Sequence, residues 1–128
     1  MSIEDLQHAV GQLPQVAFPL KHHFADGAYC RELFIPKNGV LVGARHKTNH
    51  LFLLVSGKCI ISKDDISETF TGPCMMHTTN GDKRAIFALE DTIIMTFHVT
   101  DKTDPIEIGD EILEPENGLP LWKREGLN

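Results

Sequence analysis

Three histidines and one arginine combine residue type and spacing in a way that suits chemistry: His46, His50, Arg84 and His98. His46 and His50 lie four residues apart. A strand, with its period of two, puts both on one face, with Ala44 before them and Thr48 between them. A helix would also align them, but Gly43 and the apolar run after His50 favour a strand. Neutral imidazoles placed this way can share a divalent metal. The alternative is a pair of polar strand residues facing solvent. In the stretch TIIMTFHV (92–99), alternation puts Ile94, Thr96 and His98 on one face and Ile93, Met95, Phe97 and Val99 on the other. The second set is the more apolar and is expected to be core. His98 is a third metal ligand if its face lines a pocket, and a surface histidine otherwise.

Lys83 and Arg84 follow an Asn80-Gly81-Asp82 turn, and adjacent strand residues point to opposite faces, so one of the two is expected to enter the interior. The guanidinium of Arg84 is a planar fork suited to carboxylate or phosphate. With His46 and His50 it would form a cationic recess. The plainer alternative is a surface ion pair between Arg84 and Glu90 or Asp91, worth little. His77 shares a face with Met75 and is read as a rim residue. His22 and His23 are expected in a loop, and His8 on the solvated side of a helix. Arg31 alternates with Tyr29 and Leu33 and is read as pointing inward. Cys30, Cys59 and Cys74 are odd in number and lack C-x-x-C spacing, which fits buried free thiols in a reducing compartment. No G-x-S-x-G, P-loop, G-x-G-x-x-G or H-E-x-x-H motif occurs. Glu32, Glu68 and Glu90 form no evident acid pair, so catalysis is left open.

The elements that must position these residues follow from the pattern of the whole chain. Its 128 residues suit one domain, and 41% hydrophobic with 23% charged residues is ordinary for a globular protein. A net charge of −6 without a basic run argues against general nucleic-acid binding, and leaves room for a locally basic pocket. No apolar run approaches the roughly 20 residues of a membrane span. The first residues show no secretory signal, so a cytoplasmic location is expected, the host cytoplasm if the chain is viral.

Residues 1–28 read as a lead-in, with a helix over 2–13 that Ser2 caps and Pro14 ends. Ile3, Leu6 and Val10 share one face of it. Residues 29–100 carry short strands near 29–35, 40–46, 50–55, 58–62, 67–70, 74–77, 84–89 and 93–99. The turns between them are rich in Gly, Pro, Asn and Asp. Such a series predicts an all-β sandwich or barrel. Residues 101–128 form an arm with Pro105, Pro115 and Pro120. Its Ile106, Ile108, Ile112, Leu113, Leu119, Leu121 and Trp122 are too apolar for a free tail.

Two blocks of the sequence resemble the paired motifs of the cupin superfamily. The first motif has H-x-H, three or four residues, glutamate, six residues and a closing glycine. In GARHKTNHLFLLVSG (43–57), Gly57 is that glycine, and counting back places Ala44, His46 and His50 at the two histidine positions and the glutamate position. In the second motif Gly72 and Thr79-Asn80-Gly81 match loosely, and the histidine position falls on Arg84. The chain is also similar to small cupin-like proteins of tailed bacteriophages and bacteria, through its H-K-x-x-H and G-x-K-R stretches. The resemblance covers roughly residues 29–99. It implies an all-β, double-stranded β-helix (jelly-roll) barrel. Its usual metal set, three histidines and a glutamate, is altered here: alanine cannot ligate and arginine repels a cation.

Three functions are compatible with this reading. The first is a small-molecule-binding cupin that uses His46, His50 and Arg84 for an anionic metabolite or nucleotide-like ligand. The second is a metal-dependent cupin enzyme, a dioxygenase, isomerase or lyase, with a divalent ion on His46, His50 and His98 or His77. The third is a phage structural or interaction protein on a cupin scaffold. In each, exposed strand edges and the arm make a homodimer or larger assembly the expectation.

Overall fold

The computed structural model describes residues 3–11 and 18–114. A short helix, α1 (Ile3–Gly11), precedes nine strands: β1 (Leu20–Ala25), β2 (Ala28–Ile35), β3 (Val40–Val42), β4 (His50–Ser56), β5 (Lys58–Lys63), β6 (Ile66–Thr71), β7 (Cys74–Thr78), β8 (Ala85–Ala88) and β9 (Thr92–Val99). A second helix, α2 (Pro105–Ile112), follows. The strands form two antiparallel sheets, one in the order β1-β2-β9-β4-β7 and the other β3-β8-β5-β6. Ser2, Pro14, Pro115, Leu119, Pro120, Leu121 and Trp122, to which the sequence assigned roles, lie outside the described residues.

The inner faces of the two sheets meet over Leu33, Ile35, Phe52, Leu54, Cys59, Ile61, Ile86, Ala88 and Ile94. This alternation of buried and less buried positions is what a sheet with one core face requires. Two glycines of the motif frame have structural reasons to be glycine. Gly57, at φ 94°, joins β4 to β5, and a Cβ there would lie 2.3 Å from the Asp91 carbonyl oxygen. A Cβ on Gly72 would lie 2.8 Å from the backbone of Ser56, and the Gly72 N–H donates to the Gly57 carbonyl. Asp64 and Asp65, both at positive φ, make the two-residue turn of the β5–β6 hairpin, which pairs Lys63 with Ile66.

Several sequence expectations need correction. His22 and His23 are in strand β1, not a loop. LKHHFA is a polar edge strand, and it lacks the apolar alternation that marks a strand with a buried face. The strand expected over 40–46 stops at Val42, and residues 43–49 run irregularly between β3 and β4. On β9 the expected core face is inverted. Thr92, Ile94 and His98 are buried at 0%, 4% and 5% exposure, whereas Val99 on the opposite face is 89% exposed. Count of apolar residues misleads here, because the outer face of this strand is also apolar. Of the cysteines, Cys59 is buried and Cys30 and Cys74 are half-buried; all three are free thiols.

The arm contains a helix that the sequence reading did not assign. Asp104 caps α2, its Oδ1 accepting from the Ile106 N–H at 3.0 Å, with Pro105 in the first turn. Ile108 and Ile112, four apart on one face, bury themselves against Tyr29. The chain then runs along the segment 45–47. Leu113 bridges to His46, the Lys47 N–H donates to the Ile112 carbonyl at 2.7 Å, and the Glu114 N–H donates to the Arg45 carbonyl at 2.8 Å. At the other side α1 lays Ile3 and Leu6 against Val42 and Ala85, and His8 is exposed.

Candidate functional site

The apolar core fills one end of the barrel, and at the other end a cavity of about 90 Å³ opens. Strands β2, β4 and β9 supply both ends. Going along each one, the inward positions change from apolar to polar: Ile35 and Leu33 to Arg31, Leu54 and Phe52 to His50, Ile94 to Thr96 and His98. His46 enters from the irregular segment before β4, held by its bridge to Leu113 and by the Gly81 N–H, which donates to the His46 carbonyl at 2.9 Å.

His46, His50 and His98 converge. One ring nitrogen from each lies within 4.8 Å of those of the other two. Ring centroids are 4.2 Å apart for His46 and His50, 4.5 Å for His50 and His98, and 5.9 Å for His46 and His98. The rings have local partners. His50 Nδ1 is 3.4 Å from the Thr48 carbonyl oxygen, His98 Nε2 is 2.9 Å from Thr96 Oγ1, and His46 bonds the backbone of Ala44. His98 Nδ1 is buried and has no hydrogen-bond partner among the described residues. Such second partners fix ring orientation and leave the opposite nitrogen for a ligand.

The electrostatics favour neutral rings. Burial, followed by the charges of His50, Arg31 and Arg84, pushes His46 down to about 3. Burial, then His50, His46 and Arg31, pushes His98 down to about 3. His50 is lowered as well, chiefly by burial, against a bond to Thr48 that works the other way. An unprotonated imidazole is the form that binds a metal.

Two guanidiniums flank the triad. Arg84 donates from Nη1 to Thr78 Oγ1 and from Nη2 to the His77 carbonyl at 3.1 Å, with its Cζ 5.3 Å from the centre of the Phe52 ring. Its partners are therefore in the pocket wall, not the Glu90 or Asp91 of the surface alternative. Lys83 points the other way, its Nζ 2.6 Å from Gln7 Oε1 on α1. Arg31 lines the cavity, and its Nη2 is shut off from solvent without a hydrogen-bond partner among the described residues. Burial works against its charge, yet a guanidinium stays protonated at neutral pH. Asp82 is the acid among the lining residues. Burial opposes its charge, but the Thr79 N–H and Lys63, whose Nζ is 3.0 Å away, outweigh that and hold it below the usual range.

The four motif positions, Ala44, His46, His50 and Arg84, thus all line one cavity with His98. His77 does not join them: its side chain is exposed on the outer face of β7. Arg31, which the sequence showed to point inward but gave no role, belongs to the site. Beside it, Tyr29 stacks on His98 at 5.8 Å and its hydroxyl meets His22 Nδ1 at 2.6 Å.

Comparison with known proteins agrees on the architecture. No protein-family model matches the sequence, and none of the curated proteins does. Solved structures do. A cupin-2 domain protein from Halorhodospira halophila aligns with a TM-score of 0.58 at 15% identity, over 77% of this chain and 69% of that one. A cupin-2 domain protein from Shewanella frigidimarina aligns with a TM-score of 0.54 at 13% identity, over 74% and 92%. The fold is that of a cupin. A cupin 2 conserved barrel domain protein from Salinispora arenicola gives a TM-score of 0.55 at 7% identity, over 62% and 73%. At these identities the likeness is one of cupin fold alone, and function must be argued from the site. No helix among the described residues is long and apolar enough to cross a membrane.

Proposed function

We propose that this cupin barrel binds a divalent metal through His46, His50 and His98 and holds a small anionic molecule beside it. The observation that carries the reading is the convergence of three neutral imidazoles within 4.8 Å. The donor set fits a borderline metal such as zinc, nickel, copper or iron, which imidazole suits, better than calcium or magnesium, which prefer oxygen. With His46, His50 and His98 as its protein ligands, the metal would supply Lewis-acid charge to the pocket. Arg31 and Arg84 add fixed positive charge, so the molecule that shares the cavity is an anion. At about 90 Å³ the space suits a small metabolite rather than a nucleotide.

A chemical reaction is not assigned, because the acid lining the pocket, Asp82, is already engaged by Lys63 and Thr79. Self-association stays part of the proposal: Leu51, Met75 and Val99 leave exposed apolar side chains on the outer face of the five-stranded sheet.

Elemental analysis after dialysis against zinc, nickel or iron(II) tests the metal reading. One equivalent in the wild type and none in a His46→Ala/His50→Ala variant is the expected result. Metal retained by the double variant would refute it. A metal-free anion pocket is the second reading, and the partnerless Nη2 of Arg31 favours it.

A further inference from the structure

Arg31 is the feature that the metal reading does not absorb. A buried N–H donor on a permanently charged group, left without an acceptor, costs free energy that a fold seldom leaves uncompensated. The neighbouring titratable groups give it no counter-charge. Those that face it are His22, His46, His98 and the hydroxyl of Tyr29, none of which carries a negative charge. Arg84 is of the same sign, and Asp82 faces Lys63 and Arg84. A divalent ion on the triad would add to the excess of positive charge. Apart from Thr78 and Thr96 the rest of the wall is apolar, with Leu41, Phe52, Ile86, Ile94 and Ile112 around the cavity. On the measure by which one water needs about 10–15 Å³, a cavity of about 90 Å³ takes a ligand of roughly six to nine heavy atoms.

We infer that the pocket's ligand is a short-chain organic carboxylate of about four to seven carbons, its carboxylate accepting from Arg31 and Arg84 and its hydrocarbon body lying on the apolar wall. This rests on the anion-binding half of the proposed function. The guanidinium of Arg31 anchors the carboxylate at depth. Arg84, held in place by Thr78 and the His77 carbonyl, closes on it from the rim. An inorganic oxoanion would leave the apolar wall uncovered. A neutral amide of the same shape would leave the guanidinium charge uncompensated and would turn an N–H donor toward it where the carboxylate has a second acceptor.

Calorimetric titration of the full-length protein tests this, with butyrate, its neutral analogue butyramide and inorganic phosphate as probes. Each is run on the zinc-loaded and on the chelator-treated protein. Saturable butyrate binding is expected, roughly tenfold or more weaker in Arg31→Gln, with butyramide and phosphate binding more weakly than butyrate. If Arg31→Gln does not fold, Arg31→Met, which keeps the length of the stem, serves in its place. The inference is overturned if butyrate binds neither form, if butyramide or phosphate binds as well as butyrate, or if the folded Arg31 variant keeps full affinity. Butyrate binding that depends on Arg31 in a protein that takes up no zinc would uphold the carboxylate site and reject the metal centre. Zinc uptake without butyrate binding would do the reverse.

Discussion

The two ends of this barrel are built on the same three strands and follow opposite rules. At the closed end, β2, β4 and β9 bury Leu33, Ile35, Leu54 and Ile94, with exposures of 1%, 0%, 0% and 4%. Its one fully buried polar side chain among the described residues, Thr92, is satisfied, donating to the Glu90 carbonyl at 2.8 Å. At the open end the same strands bury His50 and His98 and half-bury Arg31, and two nitrogens shut off from solvent, Arg31 Nη2 and His98 Nδ1, go without partners among the described residues. One end is arranged for stability. The other holds polar groups whose unmet bonding capacity costs stability unless a ligand fills it. Position along a strand, not the face it presents, separates the two.

Substitutions two residues apart on β2 should therefore act with opposite sign. Leu33→Ala removes a closed-end side chain, and we expect a loss of about 2–5 kcal/mol in urea denaturation, with metal and anion binding intact in the folded fraction. Arg31→Met replaces a guanidinium with a buried, partnerless N–H donor by an apolar stem of similar length, and we expect a gain of about 1–3 kcal/mol with anion binding weakened roughly tenfold or more. Equal signs for the two would erase the distinction between the ends.

Acid should find the open end first. His46 and His98 hold pKa values of about 3 in the fold against 6.5 for the free side chain. Below about pH 6.5 the unfolded chain takes up protons that the folded chain refuses, so stability is full above that pH and falls as pH drops toward about 3. Denaturation of the metal-free protein at pH 7, 5.5 and 4.5 measures this, and His98→Leu should flatten the slope. A slope unchanged by that substitution would mean that the ring is not buried in its neutral form. The smallest effect expected is at the arm. Asp104→Ala removes the cap of α2 and should cost about 1 kcal/mol, seen as faster amide exchange in α2 and along 45–47 and not in the closed-end strands.

The closed end was legible from the alternation of the strands, and the motif frame from the resemblance to the paired cupin motifs. Gly57 and the counting back from it located Ala44, His46 and His50, and the turn at Asn80-Gly81-Asp82 located Arg84; all four line the cavity. His98 stayed ambiguous since alternation separates the faces of β9 without saying which is inside, and Ile93, Met95 and Phe97 made the wrong face the more apolar. The role of Arg31 was hidden for another reason. Its inward direction follows from alternation, but its lack of a partner depends on what β4, β9 and the segment at His46 bring near it. The helix in the arm had a readable signal, Asp104-Pro105 before Ile108 and Ile112, that composition alone did not weigh.

The central claim, that the open end is a metal site made by three histidines from separate segments, is tested most directly by a crystal of the zinc-soaked protein measured at the zinc absorption edge. We expect one anomalous peak bounded by His46, His50 and His98. A map with no peak among those three rings, or with zinc held elsewhere on the chain, would contradict it.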